Sequence, residues 1–455
     1  MRNVRQPQSR SVATAVAILA ALWLVSLWTL VAAPLAAQRG LSPEERRIRQ
    51  AVDAHFDGAV TLLEETINIP SGTLNLAGVR EVGRVFRREL DAIGFTTRWE
   101  ELPPEVNRAG HLIAEWQGPR FRPGGKRLLL IGHLDTVFEN ESERFVRTDS
   151  VASGAGAVDM KGGNVAAILA LKALKQSGAL DATSIILIFT GDEESAGRPL
   201  EVSRKSLMDA ARRSDLALAF EGGDAHNATI ARRGASMWVL TTTGNQGHSS
   251  AIFRETLGFG AIYESARILN AFREQLWNQP YLTFSPGVIL GGTEVEYDTA
   301  AVSGTSSGKV NIVPRRVVAH GDLRTLTRGQ EDSVRAVMRA IVANNLPGTT
   351  ATIEFVDGYP GMPPTPGGRE ALRIFDQASQ DLGYPAVAAL PPERRGAGDI
   401  GFVADIIPGL DGLGVDGFGA HAPSEGIYLP SLRMAALRAA VLINRLSRPA
   451  QPATD

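Results

Sequence analysis

The sequence predicts an α/β protein: a doubly wound, mostly parallel sheet domain, with an inserted α+β domain. Three observations carry this. The runs Leu128–Ile131, Ile185–Phe189 and Leu216–Phe220 each hold four or more consecutive apolar residues. That is the mark of strands buried on both faces. Helical apolar spacings alternate with these runs, as in a parallel sheet covered by helices. Between about Ala231 and Tyr359 the texture changes to a Thr-rich strand pattern with two helices, enough for a small unit of its own.

Taken in order, Ser42 to Ile69 reads as a helix. Ser42 suits its cap, Pro43 its first turn, and Glu44 and Glu45 its positive end. Gly78 to Ile93 is a second helix, closed by Gly94. Phe95–Trp99 and His111–Trp116 are strands around a Pro-rich loop. The run from Leu128 ends in Gly132-His133-Leu134-Asp135-Thr136, where a strand yields to a loop. A Gly-rich turn, Ser153 to Gly156, leads through Val158-Asp159-Met160-Lys161-Gly162-Gly163 into a helix carrying Val165, Ile168, Leu169 and Leu174. The next strand ends in Thr190-Gly191-Asp192-Glu193-Glu194. Val202–Arg213 is expected as one helix, and the strand from Leu216 ends at Glu221.

In the insert, Trp238–Thr243, Val288–Gly291, Val310–Leu323 and Thr350–Val356 have strand character. Gly260–Leu276 and Glu331–Ala343 read as helices, and Gly244–Ser250 as a polar loop carrying His248. Prolines 360 to 366 form a linker back to the first domain, and Ala371–Leu382 and Leu432–Leu446 are helices. The expected units are 41–232 and 358–448 for the catalytic domain and 233–357 for the insert, with a disordered tail at 449–455.

The 455 residues exceed one core, consistent with two domains. A net charge of −2 gives no electrostatic case for nucleic acid as a partner, and the absence of Cys removes thiolate sites and a Cys nucleophile. Arg2, Arg5 and Arg10 precede an apolar run from about Val12 to Leu35, followed by small residues before Gln38. This is the pattern of an export signal over 1–37. Its length also suits a retained membrane anchor at 12–35. Either way the expectation is an exported protein, periplasmic or secreted.

Strand ends in open α/β sheets are where ligands bind. Here they deliver His133, Asp135, Asp192, Glu193, Glu194 and Glu221 toward one crevice, joined by Asp159 and by His421 in a late Gly-rich loop. Imidazole with carboxylate is the donor set of a hydrolytic Zn or Mn site. Each residue alone has a structural explanation: His133 bonded to a carbonyl, Asp159 capping the helix near Lys161, the acidic triplet as a solvated loop. Together they would have to cluster by accident.

These motifs resemble the co-catalytic di-zinc exopeptidases and amidohydrolases that include glutamate carboxypeptidase, aminoacylase and succinyl-diaminopimelate desuccinylase. They are Gly132-His133-Leu134-Asp135-Thr136-Val137, Gly156 through Gly163, Asp192-Glu193-Glu194, Phe220-Glu221 and His421, in the family's order. The resemblance covers nearly all of the chain after the leader. It implies two Zn2+ per subunit, with Mn2+ or Co2+ as substitutes. His133 and Glu221 would bind one, Glu194 and His421 the other, with Asp159 bridging. Asp135 would orient His133, and Glu193 would be the general base.

The resemblance further implies that the insert is a lid and dimerisation domain, with a homodimer formed through it and His248 reaching a neighbouring active site. Asn311 and Arg324 would hold a substrate carboxylate, although an ion pair with Asp322 is the other reading of Arg324. Gly396-Ala397-Gly398-Asp399 departs from the family's Gly-Thr-Asp or Gly-Ser-Asp, which bears on substrate preference. The expected activity is a carboxypeptidase acting on short peptides or N-acyl amino acids. An aminoacylase-like deacylase and a non-catalytic binding protein are the alternatives, and a membrane is a partner only if the leader is retained.

Overall fold

The computed structural model describes residues 40–139 and 143–449. The leader at 1–37 and the tail at 450–455 lie outside the described residues. No helix among the described residues is long and apolar enough to cross a membrane.

The first half runs α1 (Pro43–Ile67), α2 (Leu76–Ala92), β1 (Thr96–Glu100), β2 (His111–Gln117), β3 (Arg127–His133), α3 (Gly162–Ser177), β4 (Ser184–Thr190), α4 (Lys205–Arg212) and β5 (Leu216–Ala219). The inserted segment adds β6 (Ala235–Gly244), α5 (Gly260–Leu276), β7 (Thr283–Gly292), β8 (Arg316–Arg324), α6 (Arg328–Ala343) and β9 (Thr349–Tyr359). The chain ends with α7 (Pro366–Asp381), β10 (Gly409–Leu410) and α8 (Leu429–Leu446).

The central sheet has the order β1-β2-β4-β3-β5-β10. Its last four strands are parallel, and β1 and β2 add an antiparallel edge. Successive residues of β3 serve opposite faces, as strand geometry requires. Leu128 and Leu130 join α1, α3 and α8 in the larger core. Leu129 and Ile131 face α4 and the segment around Val403. Both faces are therefore covered by helix, the doubly wound arrangement expected from the uninterrupted apolar runs.

Local chemistry fixes the ends. Ser42 caps α1 in a reciprocal box with Glu45, whose carboxylate accepts the Ser42 N–H at 2.7 Å. Glu45 also receives Arg445 Nε of α8 at 2.7 Å, tying the first helix to the last.

The insert forms its own four-stranded antiparallel sheet, β7-β8-β6-β9, packed on α5 and α6 through Trp238, Leu240, Phe272 and Met338.

Four sequence expectations are corrected. The helix expected over Val202–Arg213 is two pieces broken at Arg204, because that side chain turns inward to Asp192 and Asp399. The stretch of strand character over Val310–Leu323 is not continuous: it is split into Ile312–Val313 and β8, with Pro314 lying between them. The polar loop at Gly244–Ser250 includes a short strand, Gly247–His248, paired with Ile312–Val313. The apolar residues of the helix expected over Gly260–Leu276 include Ile262, yet on α5 Ile262 is half exposed while Ala261, Glu264 and Ser265 face inward. A hairpin of Glu294–Asp298 and Ser303–Ser307 has no counterpart in the sequence reading.

Candidate metal centre

The parallel register puts three strand ends at one edge. His133 closes β3 opposite Thr190 of β4, and Ile131 pairs with Ala219 of β5, two residues before Glu221. Asp159 lies in the loop before α3. That helix starts close against the end of β5, where a Cβ on Gly163 would sit 1.9 Å from the Phe220 carbonyl oxygen. Only glycine permits this approach. The buried Glu425 carboxylate shapes the same loop by accepting the N–H groups of Gly156, Val158 and Asp159 at 3.1, 2.8 and 2.9 Å. His421 stands at φ 64°, a left-handed conformation costly for a non-glycine residue.

Two groups of donors result, His133–Asp159–Glu221 and Asp159–Glu194–His421. Within each group the ligand atoms lie within 4.8 Å of one another. Asp159 belongs to both. His133 Nδ1 is 3.0 Å from the Asp135 carbonyl oxygen. A carbonyl only accepts, so Nδ1 carries the hydrogen and the Nε2 lone pair is directed inward. That lone pair faces Asp159 Oδ1 at 3.2 Å and Glu221 Oε1 at 3.8 Å. His421 Nε2 faces Asp159 Oδ2 at 3.0 Å and Glu194 Oε2 at 3.3 Å. Without a metal, such close contacts need a proton on each ring; with the lone pairs free, they suit a divalent ion between them. Glu194 Oε1 is buried with no hydrogen-bond partner. The donor set thus fits two divalent ions sharing Asp159.

The titration behaviour agrees. Burial, reinforced by Asp159, pushes Glu221 up to about 7. Burial also raises Glu194. Burial pushes Glu193 well above the usual carboxylate range; the positive charge on His133 opposes this, and Glu221, Asp399 and Glu194 add to it. For His133, burial favours the neutral ring, but Asp135, Asp159 and the surrounding carboxylates outweigh it and the net shift is upward. Hydrogen bonds to Asp159 and Glu194 hold His421 at about 10. Asp159 goes the other way: burial would raise it, but its hydrogen bonds to His133 and His421 outweigh that and hold it well below the usual carboxylate range, so the three glutamates rather than Asp159 lack a balancing positive charge.

A family model for peptidase family M20/M25/M40 matches residues 129–445. The chain belongs to that family. It is 26% identical over 387 residues to carboxypeptidase G2 of Pseudomonas sp. (strain RS-16), covering 82% of this chain and 85% of the relative. It is 26% identical over 379 residues to succinyl-diaminopimelate desuccinylase of Acidiphilium cryptum, covering 80% and 92%. Among solved structures, it superposes on the Bacillus subtilis YXEP protein, a dinuclear metal binding peptidase from the M20 family. The TM-score is 0.61 at 16% identity, covering 88% of this chain and all of the other. This protein is accordingly a metal-dependent hydrolase of the peptidase and amidohydrolase class.

Within this M20 chain, Asp135 does something its sequence did not announce. Its carbonyl, rather than its carboxylate, holds the His133 ring; the carboxylate Oδ1 is 3.5 Å from Nδ1. The carboxylate instead accepts the N–H of Glu193 at 2.9 Å, the N–H of Glu194 at 3.0 Å and Thr73 Oγ1 at 2.7 Å. Asp192 turns away from the donors. It pairs with Arg204 at 2.6 Å, and Arg204 reaches Asp399 at 2.8 Å, which in turn accepts from Thr190 Oγ1 at 2.6 Å. Tyr359 donates to the Glu193 carbonyl from the end of β9.

The residues expected to hold substrate lie apart. His248 is exposed, with Nδ1 2.9 Å from Ser250 Oγ. Exposed Asn311 is its neighbour, its carbonyl accepting the Ser249 N–H at 2.9 Å. Arg324 closes β8 and pairs with Asp322 at 3.2 Å, the ion pair foreseen as its other reading. Among the described residues, no hydrogen bond or ion pair joins these three to the donor cluster. Glu425 and Arg204 were missed: Glu425 is a lone acid in a Gly-rich loop, and Arg204 falls in a helical spacing that gives no sign of its inward turn.

Proposed function

We propose that this protein is a zinc-dependent carboxypeptidase that hydrolyses the amide bond preceding a C-terminal amino acid in short peptides or N-acyl amino acids. The observation that carries the reading is Asp159, shared by two donor groups beside a Glu193 that belongs to neither. His133, Asp159 and Glu221 would hold one ion, and Asp159, Glu194 and His421 the other. Bound there, two divalent ions polarise the carbonyl and make water acidic enough to react at neutral pH.

The chain supplies the rest. Glu193 takes a proton from the attacking water as its oxygen bonds to the amide carbon. It returns that proton to the nitrogen as the C–N bond breaks. A carboxyl pushed up by burial suits a base working near neutrality. Arg324 and Asn311 would receive the free carboxylate on the leaving side, Arg by its planar fork, with His248 contributed across a dimer of inserts. The name of the Pseudomonas relative supports the carboxypeptidase reading. The desuccinylase name supports an N-acyl amino acid deacylase as the second reading.

The test uses protein lacking residues 1–37, stripped of metal and reloaded with zinc, manganese or cobalt, on a panel of dipeptides and N-acyl amino acids. Release of one amino acid across several acyl groups supports the carboxypeptidase. Dependence on the acyl group alone supports the deacylase. No turnover by folded protein holding two ions overturns both. Export through the leader is part of the same reading, and N-terminal sequencing of mature protein distinguishes cleavage after residue 37 from a retained anchor.

A further inference from the structure

Beside the donor cluster the catalytic sheet side carries a cavity of about 310 Å³. Asp159 and Glu221 line one wall, and Arg394 and Arg395 another. None of its lining comes from the insert segment Ala235–Tyr359, where Asn311 and Arg324 reside. An amide substrate has two sides, and the cavity is the place left for the acyl side.

The two guanidinium groups are presented by a loop that is itself pinned. Arg395 donates to the Gly222 carbonyl, directly after Glu221. Its Nε is buried without a partner. Arg232, buried and paired with Asp411 at 2.5 Å, donates to the carbonyls of Gly396 and Ala397 at 2.7 Å each. Arg232 and Arg204 are spent on carboxylates. Among the described residues neither Arg394 nor Arg395 is.

The acids in the cavity do not cancel these charges. Asp159 and Glu221 face the donor cluster. Asp224 is occupied as a turn acceptor for the N–H groups of His226 and Asn227 and for the Asn227 side chain. Among the described residues, the cationic donors lining the cavity without a carboxylate partner are Arg394 and Arg395.

We propose that this cavity is the acyl-side subsite and that Arg394 and Arg395 select an acyl group ending in a carboxylate. This rests on the amide-hydrolase reading above. Pockets for small ligands start near ~300 Å³, so the cavity has room for a short dicarboxylic half-amide or an acidic residue. A charge-assisted hydrogen bond to a carboxylate is directional and strong, and Arg394, exposed at the rim, is the group that can be changed without disturbing the Gly222 contact.

The experiment compares two substrates with the same leaving amino acid on the zinc-loaded enzyme: the N-succinyl compound and its neutral N-succinamoyl analogue. The expected ratio of their kcat/KM values is about 10- to 100-fold in favour of succinyl. Arg394→Gln should bring that ratio close to one, with an unchanged melting temperature. A ratio near one in the unaltered enzyme, or one that survives Arg394→Gln, overturns the subsite. If neither substrate is hydrolysed, the proposed activity fails for this leaving amino acid, and the subsite is judged separately by calorimetric titration of succinate. Binding weakened about tenfold by Arg394→Gln sustains it; binding that is absent or unaffected by the change overturns it.

Discussion

The carboxylate of Asp135 holds the backbone N–H of Glu194 at 3.0 Å. Its other oxygen holds that of Glu193 at 2.9 Å, so one buried side chain sets the direction of two neighbouring acids. Asp135→Asn would turn an N–H toward one of these donors. An unmet buried donor costs about 1–3 kcal/mol. The metal-free variant should therefore melt a few degrees lower, and kcat should fall as Glu193 loses its aim. A variant with native melting and native kcat would remove Asp135 from this role.

Glu193→Gln keeps the shape of the side chain and removes its basicity. Turnover should drop by about 10²- to 10⁴-fold, while metal analysis still finds two ions per chain. Loss of an ion together with activity would make Glu193 a ligand instead.

His421 is more than half exposed, and among the described residues its side-chain ion pairs are with Asp159 and Glu194. His421→Ala should lower metal content from two ions toward one per chain. Stability of the metal-free protein should change by less than about 1 kcal/mol. Full occupancy by plasma emission would exclude it as a donor.

Arg204 is fully buried between Asp192 and Asp399. Its guanidinium is also 5.3 Å from the Phe402 ring centroid. Arg204→Met leaves two buried carboxylates unpaired, and breaking a buried pair costs about 3–5 kcal/mol. Chemical denaturation should register that loss. Asp192→Asn combined with Asp399→Asn should recover part of it, because the uncompensated charges are then gone.

Burial alone would raise the Glu45 carboxyl, but Arg445 and the Ser42 cap outweigh it and hold it below the ordinary 4.5. A folded value lower than the unfolded one adds stability that is complete above the unfolded pKa. That stability drains away as pH falls through the folded value. Arg445→Met should therefore flatten the fall in melting temperature between about pH 6 and about pH 3. Parallel melting profiles for the two proteins would show that the pair contributes nothing.

Strands buried on both faces were legible because no polar residue interrupts Leu128–Ile131 or Ile185–Phe189, and α5 has the same bounds in the sequence and the structure. The donors were legible because each follows such a run or sits in a Gly-rich loop. The Glu294–Asp298 hairpin was not, since only Val295 in it is buried and its second strand, Ser303–Ser307, is wholly exposed. Arg204 was hidden for the opposite reason. Its helical spacing looked continuous, and only the burial of two distant acids pulls it out of line. The role of Asp135 depends on backbone groups 58 and 59 residues away, which no local pattern reveals.

The two imidazoles that converge on Asp159 have an implication for how the protein matures. His421 lies 262 residues beyond Asp159 in the chain, after the whole insert. During synthesis the central strands and the insert emerge long before the last donor. A nascent chain therefore holds one group of donors and lacks the other until nearly its end. On the proposed assignment, filling of the second site is thus a late event: a chain that stops before His421 lacks one of that site's three donors.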